Sequence, residues 1–263
     1  MKLELAGKVA LVTGGGRGIG QAVSLMLASH GVNVAICGRT AETLESTATA
    51  IRALGVEAWP VVADVSDADA LERFVDEAAR VAGRIDILVN NAVSSLHAPF
   101  AEQTDDNWRH HIDVKLMATI RGCRMVVPHM RDAGGGRIVN IGGMTARIVA
   151  PIRITNGVVN AGVSNFTKQL SAQVGSDNIT VNCVHPGFTA TDRMLSGTRR
   201  RALDSGISED EEIARMVSTI PLGRLVAPED IARAVVFFCS PLAAMVTGQS
   251  IAVDGGSGEA INY

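Results

Sequence analysis

The chain has 263 residues, 47% hydrophobic and only 3% aromatic, which suits one large α/β domain with a sizeable core. The formal net charge of −3 offers no basic field for nucleic acid, and the one basic run, Arg199-Arg200-Arg201, is short and reads as a solvated loop or an anion-recognition segment. No apolar stretch approaches the roughly 18 residues that cross a bilayer. The start, Met1-Lys2-Leu3-Glu4-Leu5, has no signal-peptide core, and Cys37, Cys123, Cys183 and Cys239 form no C-x-x-C pair. A soluble chain of a reducing cytoplasm is the expectation.

Taken in chain order, short apolar runs alternate with longer amphipathic ones. Val9–Thr13 reads as a strand and runs directly into Thr13-Gly14-Gly15-Gly16-Arg17-Gly18-Ile19-Gly20, which opens a helix over Gly18–Ser29. Glycines are needed there because the backbone turns sharply and approaches a pyrophosphate closely, with the anion on the helix N-terminus. A second strand, 32–37, ends in Cys37-Gly38-Arg39. An acid at that turn would hold a ribose 2′-hydroxyl, whereas the guanidiniums of Arg17 and Arg39 suit a 2′-phosphate, so NADP(H) is expected over NAD(H).

A helix over 41–54, a strand over Ala58–Val62, a helix over 67–81 and a strand over 85–89 follow. Further strands are expected at 137–141, 180–184 and 251–253. Gly134-Gly135-Gly136 reads as a helix-to-strand turn, and Ser208-Glu209-Asp210-Glu211 has the form of a capping box that starts a helix. Repeated β-then-α at this spacing implies a Rossmann-type doubly wound parallel sheet of about seven strands, helices on both faces, as a single domain over 1–263.

The ordered motifs resemble the classical short-chain dehydrogenase/reductase family over nearly the whole chain. The glycine loop has the form T-G-x-x-x-G-I-G. Asp64-Val65 matches the family's adenine-contacting pair, and Asn90-Asn91-Ala92 matches its N-N-A-G motif with Val93 in place of the last glycine. Pro186-Gly187 with Thr191 resembles the segment that holds the nicotinamide carboxamide. Leu222-Gly223-Arg224, Pro228-Glu229-Asp230 and Gly248 through Gly256 match the usual C-terminal run.

The resemblance implies a serine, a tyrosine and a lysine that polarise a carbonyl, exchange its proton and hold the nicotinamide ribose, with an asparagine supporting a proton-relay water. The chain departs from all four. Gly143 stands in the serine position of Gly136-Arg137-Ile138-Val139-Asn140-Ile141-Gly142-Gly143, Asn156 in that of the tyrosine, Asn160 in that of the lysine, and Lys115 in that of the asparagine. The one tyrosine is Tyr263. Because lysine and asparagine have exchanged walls, Lys115 is a candidate to return an ammonium to the site, with Asn160 still binding ribose.

Weaker candidates are His97, with an intrinsic range suited to acid–base work, and Ser94, Ser95 and Thr145, which lack an activating base. Arg147 and Arg153 are candidates to clamp a carboxylate. His110 and His111 are adjacent and so diverge on a helix, His185 reads as a strand-end residue, and no cluster has metal-ligand spacing. Three functions stay open: an NADP(H)-dependent oxidoreductase on a carbonyl, alcohol or enone, an inactive cofactor-binding subunit assembled with an active relative, or a non-redox dehydratase, isomerase or cyclase. The resemblance further implies a homodimer or homotetramer with helices at 104–132 and 155–175 between subunits, and a variable substrate-side segment at 189–225.

Overall fold

The computed structural model describes residues 3–94 and 97–258, so Ser95 and Tyr263 lie outside the described residues. Seven strands form one parallel sheet in the order β3-β2-β1-β4-β5-β6-β7. They are β1 (Val9–Thr13), β2 (Asn33–Gly38), β3 (Ala58–Val62), β4 (Ile87–Asn90), β5 (Gly136–Ile141), β6 (Ile179–Pro186) and β7 (Ser250–Val253). The order reverses between β1 and β4, and in a sheet of this kind the crevice outside the carboxyl ends of the strands at that reversal is where ligands bind.

Side chains alternate across each strand, so one sequence feeds two cores. Ala10, Val12, Val34, Ile36, Val89 and Val184 pack under α1 (Gly18–Ser29), α2 (Ala41–Arg52) and α9 (Pro228–Cys239). Val9, Leu11, Ala35, Cys37, Leu88 and Val181 face α3 (Ala68–Ala82), α5 (Ala118–Asp132) and α6 (Ile154–Val174). Helix ends follow local chemistry. The Asp67 carboxylate accepts from Asp69 N at 2.9 Å and Ala70 N at 3.2 Å, and α3 stops at Gly83 with φ of 71°.

Two expectations need correction. The 104–132 segment is not one uniform helix: α4 (Asp105–His111) passes into a π turn, Ile112–Met117, before α5. The widened turn carries Lys115. The Arg199–Arg201 run is not a loop but part of α7 (Asp192–Ser205). Arg199 reaches Glu209 at 2.9 Å and Arg201 reaches Glu212 at 2.9 Å, so the run ties α7 to α8 (Glu209–Val217). The expected capping box forms, with Glu211 N donating to Ser208 Oγ at 3.1 Å and Ser208 N to Glu211 Oε2 at 2.8 Å. Strand ends differ by one or two residues. β4 begins at Ile87 rather than 85, although the Asp86 backbone still bonds both neighbouring strands, its N donating to Val9 O at 3.0 Å and its O accepting from Arg137 N at 2.8 Å.

Candidate functional site

The glycine loop is fixed from beneath by a buried weld. Asn91 N and Ala92 N both donate to Thr13 Oγ1, at 3.0 and 3.1 Å, while Asn91 Nδ2 donates to Thr13 O at 3.0 Å and Gly14 O at 3.2 Å. Asn91 thus positions the loop through its own amide. Gly20 has no room for a side chain: a Cβ there would lie 2.1 Å from Gly14 O. The α1 N-terminus carries neither a side-chain cap nor an acid in its first turn, and Arg17 precedes it in extended backbone. Uncapped amides at the positive end of a helix beside an arginine fit a pyrophosphate.

At the ends of β2 and β3 the Arg39 guanidinium is exposed and lies 4.0 Å from Asp64 Oδ2. Burial raises Asp64, but two hydrogen bonds from Ser66 and the Arg39 charge outweigh it and hold the carboxyl below its ordinary value. Val65 is buried beside it. Arg193, which the sequence reading missed, reaches from α7 across to Val93 O at 3.2 Å. Burial and the charges of Arg17 and Arg39 all lower its guanidinium, so three arginines share this end of the crevice. Opposite, Pro186 closes β6, Gly187 packs against Asp254 where a Cβ would lie 2.6 Å from its Cα, and Thr191 caps α7 with its Cγ2 3.3 Å from a Cβ built on Gly18. Gly14 and Gly20 are thus joined to Asn91 and Ala92, and Gly18 to Thr191, at the carboxyl end of the sheet, while Gly16 packs against Thr43 of α2 and Ile19 against the core.

The wall matching the family's reaction centre holds no phenol. Asn156 is buried and its Oδ1 has no hydrogen-bond partner; Thr155 Oγ1, beside it, also lacks one. Asn160 Nδ2 donates to Thr145 Oγ1 at 2.9 Å. That bond uses one of the two amide hydrogens, leaving the other and Oδ1 for a ribose. Gly143 is the space Asn160 occupies: a Cβ there would lie 2.6 Å from Asn160 Nδ2.

Behind Gly143 runs a second chain that sequence did not disclose. Gly143 N donates to His185 Nδ1 at 3.0 Å, His185 Nε2 meets Ser164 Oγ at 3.1 Å, and Ser164 Oγ donates to Asn160 O at 3.0 Å. An accepting Nδ1 puts the proton on Nε2. Burial, then the charges of Arg147 and Lys115, push His185 down to about 4, so it stays neutral. His185 is thus a supporting residue more than a strand end.

Lys115 is 4% exposed and donates to the carbonyl of Ile141, at the end of β5 one peptide from Gly142-Gly143. Burial pushes its ammonium down to about 8, with Cys183 opposing the fall and the Arg193 charge adding to it. Lys115 has no ion pair with a carboxylate among the described residues. The side chain does not snorkel to solvent.

The remaining candidates separate. Arg147 donates to Ser250 O and is committed to the backbone of β7. His110 Nε2 meets Ser94 Oγ at 3.1 Å, and His111 is buried with Nδ1 unpartnered. His97 lies in the loop after β4, lowered by burial and by Arg153, Arg201 and His111. Ala98 N donates to Ile152 O at 3.1 Å, which joins that loop to the segment before α6. No described helix is long and apolar enough to cross a membrane.

Residues 14–258 match the family model described as enoyl-(acyl carrier protein) reductase. The chain is 33% identical over 260 residues to 3-oxoacyl-[acyl-carrier-protein] reductase FabG of Chlamydia pneumoniae, covering 97% of this chain and 99% of that one. It is 36% identical over 248 residues to the short-chain reductase protein NovJ of Streptomyces niveus, covering 94% and 93%. Among solved structures, L-sorbose reductase from Gluconobacter frateurii, complexed with NADPH and L-sorbose, superposes with a TM-score of 0.96 at 30% identity over 99% and 100% of the two chains. Motif order, strand order and these likenesses agree: the chain belongs to the short-chain dehydrogenase/reductase family of oxidoreductases.

Proposed function

We propose that this chain binds NADP(H) and acts as an oxidoreductase on a carbonyl, alcohol or conjugated enone, with Lys115 as the group that holds the proton. The glycine cradle, the uncapped α1 N-terminus and the Arg17, Arg39 and Arg193 guanidiniums support the cofactor. Bound there, the nicotinamide would supply hydride chemistry. The chain's own contribution is to place a carbonyl in the crevice, exclude water and deliver a proton to the developing alkoxide.

The carrying observation is Lys115. A buried ammonium without a carboxylate, lowered to about 8, is protonated at neutral pH and still close enough to that range to release its proton. Its place at the end of β5 beside the side-chain-free Gly142-Gly143 strip is compatible with reach into the crevice. Thr145 Oγ1, which accepts from Asn160, keeps its own hydrogen to donate to the same oxygen.

The test follows NADPH absorbance with a panel of aldehydes, ketones and enones. Reduction is expected to fall as pH rises through about 8 in the native chain. Lys115→Met is expected to lose on the order of 10²-fold or more in kcat while NADPH affinity is kept. Unchanged turnover in that variant removes Lys115 from the chemistry. Tight NADPH binding with no oxidation across the panel favours the second reading, an inactive cofactor-binding subunit or a non-redox enzyme. That reading draws on the same wall: neither Gly143 nor Asn156 carries a titratable group. Co-assembly with a catalytically intact relative then separates those two.

A further inference from the structure

Arg153 is the N-cap residue of α6, and its side chain is partly buried. The other partly buried arginines all have partners. Arg121 reaches Ser66 O at 3.1 Å, Arg137 reaches Gly136 O at 2.8 Å, Arg147 reaches Ser250 O, and Arg201 reaches Glu212. The Arg153 side chain makes no hydrogen bond and no ion pair among the described residues, its backbone N–H alone donating to Ala150 O at 2.8 Å. Burial lowers its guanidinium and the Arg201 charge lowers it further. Arg153 and Arg201 in turn both lower His97. Guanidiniums from the entry to α6 and from α7 thus meet beside an imidazole from the loop after β4, which their charges hold toward its neutral form. One carboxylate, Glu212, answers Arg201, and none answers Arg153.

Two more observations point to the same place. α6 is a 21-residue helix with no side-chain cap and no acid in its first turn, so its N-terminus is a positive pole without a counter-charge. Within that turn Thr155 and Asn156 are more than nine-tenths buried, yet Thr155 Oγ1 and Asn156 Oδ1 have no hydrogen-bond partner. Buried polar atoms left unpaired are unfavourable, and a bound polar ligand would supply the missing partner. Asn156 lies three residues beyond Arg153, in the first turn of the helix that Arg153 opens.

We propose that Arg153 and the α6 N-terminus form the carboxylate-binding end of the substrate pocket, so that the reacting carbonyl compound is an oxo acid. This deepens the oxidoreductase reading and rests on it for the place of the carbonyl. The carboxylate receives the paired N–H groups of the guanidinium and faces the helix pole, and Asn156 Oδ1 accepts from the hydroxyl of the alcohol form. A monoanion matches the single uncompensated guanidinium, because Arg201 is already answered by Glu212. A doubly charged phosphate would lack its second cation.

The experiment is isothermal titration of the NADP⁺-saturated chain with acetoacetate, levulinate and phenylpyruvate, each against its methyl ester, and with inorganic phosphate. At least one acid is expected to bind about tenfold tighter than its ester. Arg153→Gln is expected to bring that acid to the level of the ester, and Arg153→Lys to retain part of the difference. Arg80→Gln, at an exposed α3 site, controls for net charge and is expected to change nothing. Acids binding no better than esters, or a preference that survives Arg153→Gln, overturns the assignment. So does phosphate displacing the acid with equal affinity. Titration with NADPH alone tests the cofactor reading separately. A Tm unchanged in Arg153→Gln keeps a folding defect from passing for lost recognition.

Discussion

Lys115 shows how much a single buried charge shapes this site. Its ammonium titrates near 8 in the folded chain against 10.5 for the free side chain. Between those values the unfolded chain holds the proton and the folded chain does not, so stability rises with pH across that window. Below it the buried charge costs on the order of 3 kcal/mol. Lys115→Met is therefore expected to be the more stable protein at pH 7 in urea unfolding, with the gap closing as pH climbs from 8 toward 10.5. A second residue-scale test concerns the interlock of Gly143 with Asn160. Gly143→Ala places a methyl 2.6 Å from Asn160 Nδ2 and is expected to cost about 1–3 kcal/mol. Asn160→Ala in the same chain should recover most of that cost, and additive losses in the double-mutant cycle would show that the two side chains do not compete for one space. The identities at 115, 143, 156 and 160 were legible by counting along motifs. Their mutual fit was not, because side-chain competition for one volume leaves no periodic trace.

Among the elements, the strand–loop–helix unit at the N-terminal end was the most legible, since glycine spacing reports a backbone demand directly. Gly20 shows the demand: the Gly20→Ala methyl would lie 2.1 Å from Gly14 O, and NADPH affinity measured by fluorescence titration is expected to fall at least tenfold. Retained affinity would mean that the loop adapts. The Ser208 capping box was equally legible, being chemistry among neighbours in sequence. The π turn at Ile112–Met117 was not. Its pattern differs from an α-helix by one residue in the register of the apolar face, within the scatter of ordinary helices. The Arg199–Arg201 run misled for a related reason. Three adjacent arginines look solvated until Glu209 and Glu212, from the next helix, come to meet two of them.

For the molecule as a whole, the parallel sheet separates two kinds of polar group. Cofactor and substrate candidates gather at the carboxyl ends of the strands, while Asp86 anchors the opposite edge with Arg84 at 2.5 and 2.8 Å, Val9 N at 2.9 Å and Lys8 at 3.6 Å. Burial raises Asp86, but these donors and charges outweigh it, so its carboxyl titrates below 3.8. Its contribution is full above that value and is lost as pH falls through the lower folded one. Asp86→Asn is expected to cost about 1–3 kcal/mol at neutral pH, lessening in acid, with NADPH affinity unchanged. A coincident loss of affinity would mean that the edges are coupled. The strand order could be anticipated because β-α alternation allows few topologies, whereas the Asp86 anchor depends on partners 2, 77 and 78 residues away in sequence. Distance between the anchoring edge and the chemical edge has a bearing on how such a chain drifts. Substitutions far apart add without interfering, so the groups that react can be traded for others while the scaffold keeps its margin, and new chemistry can be tried on it without first being made safe to fold.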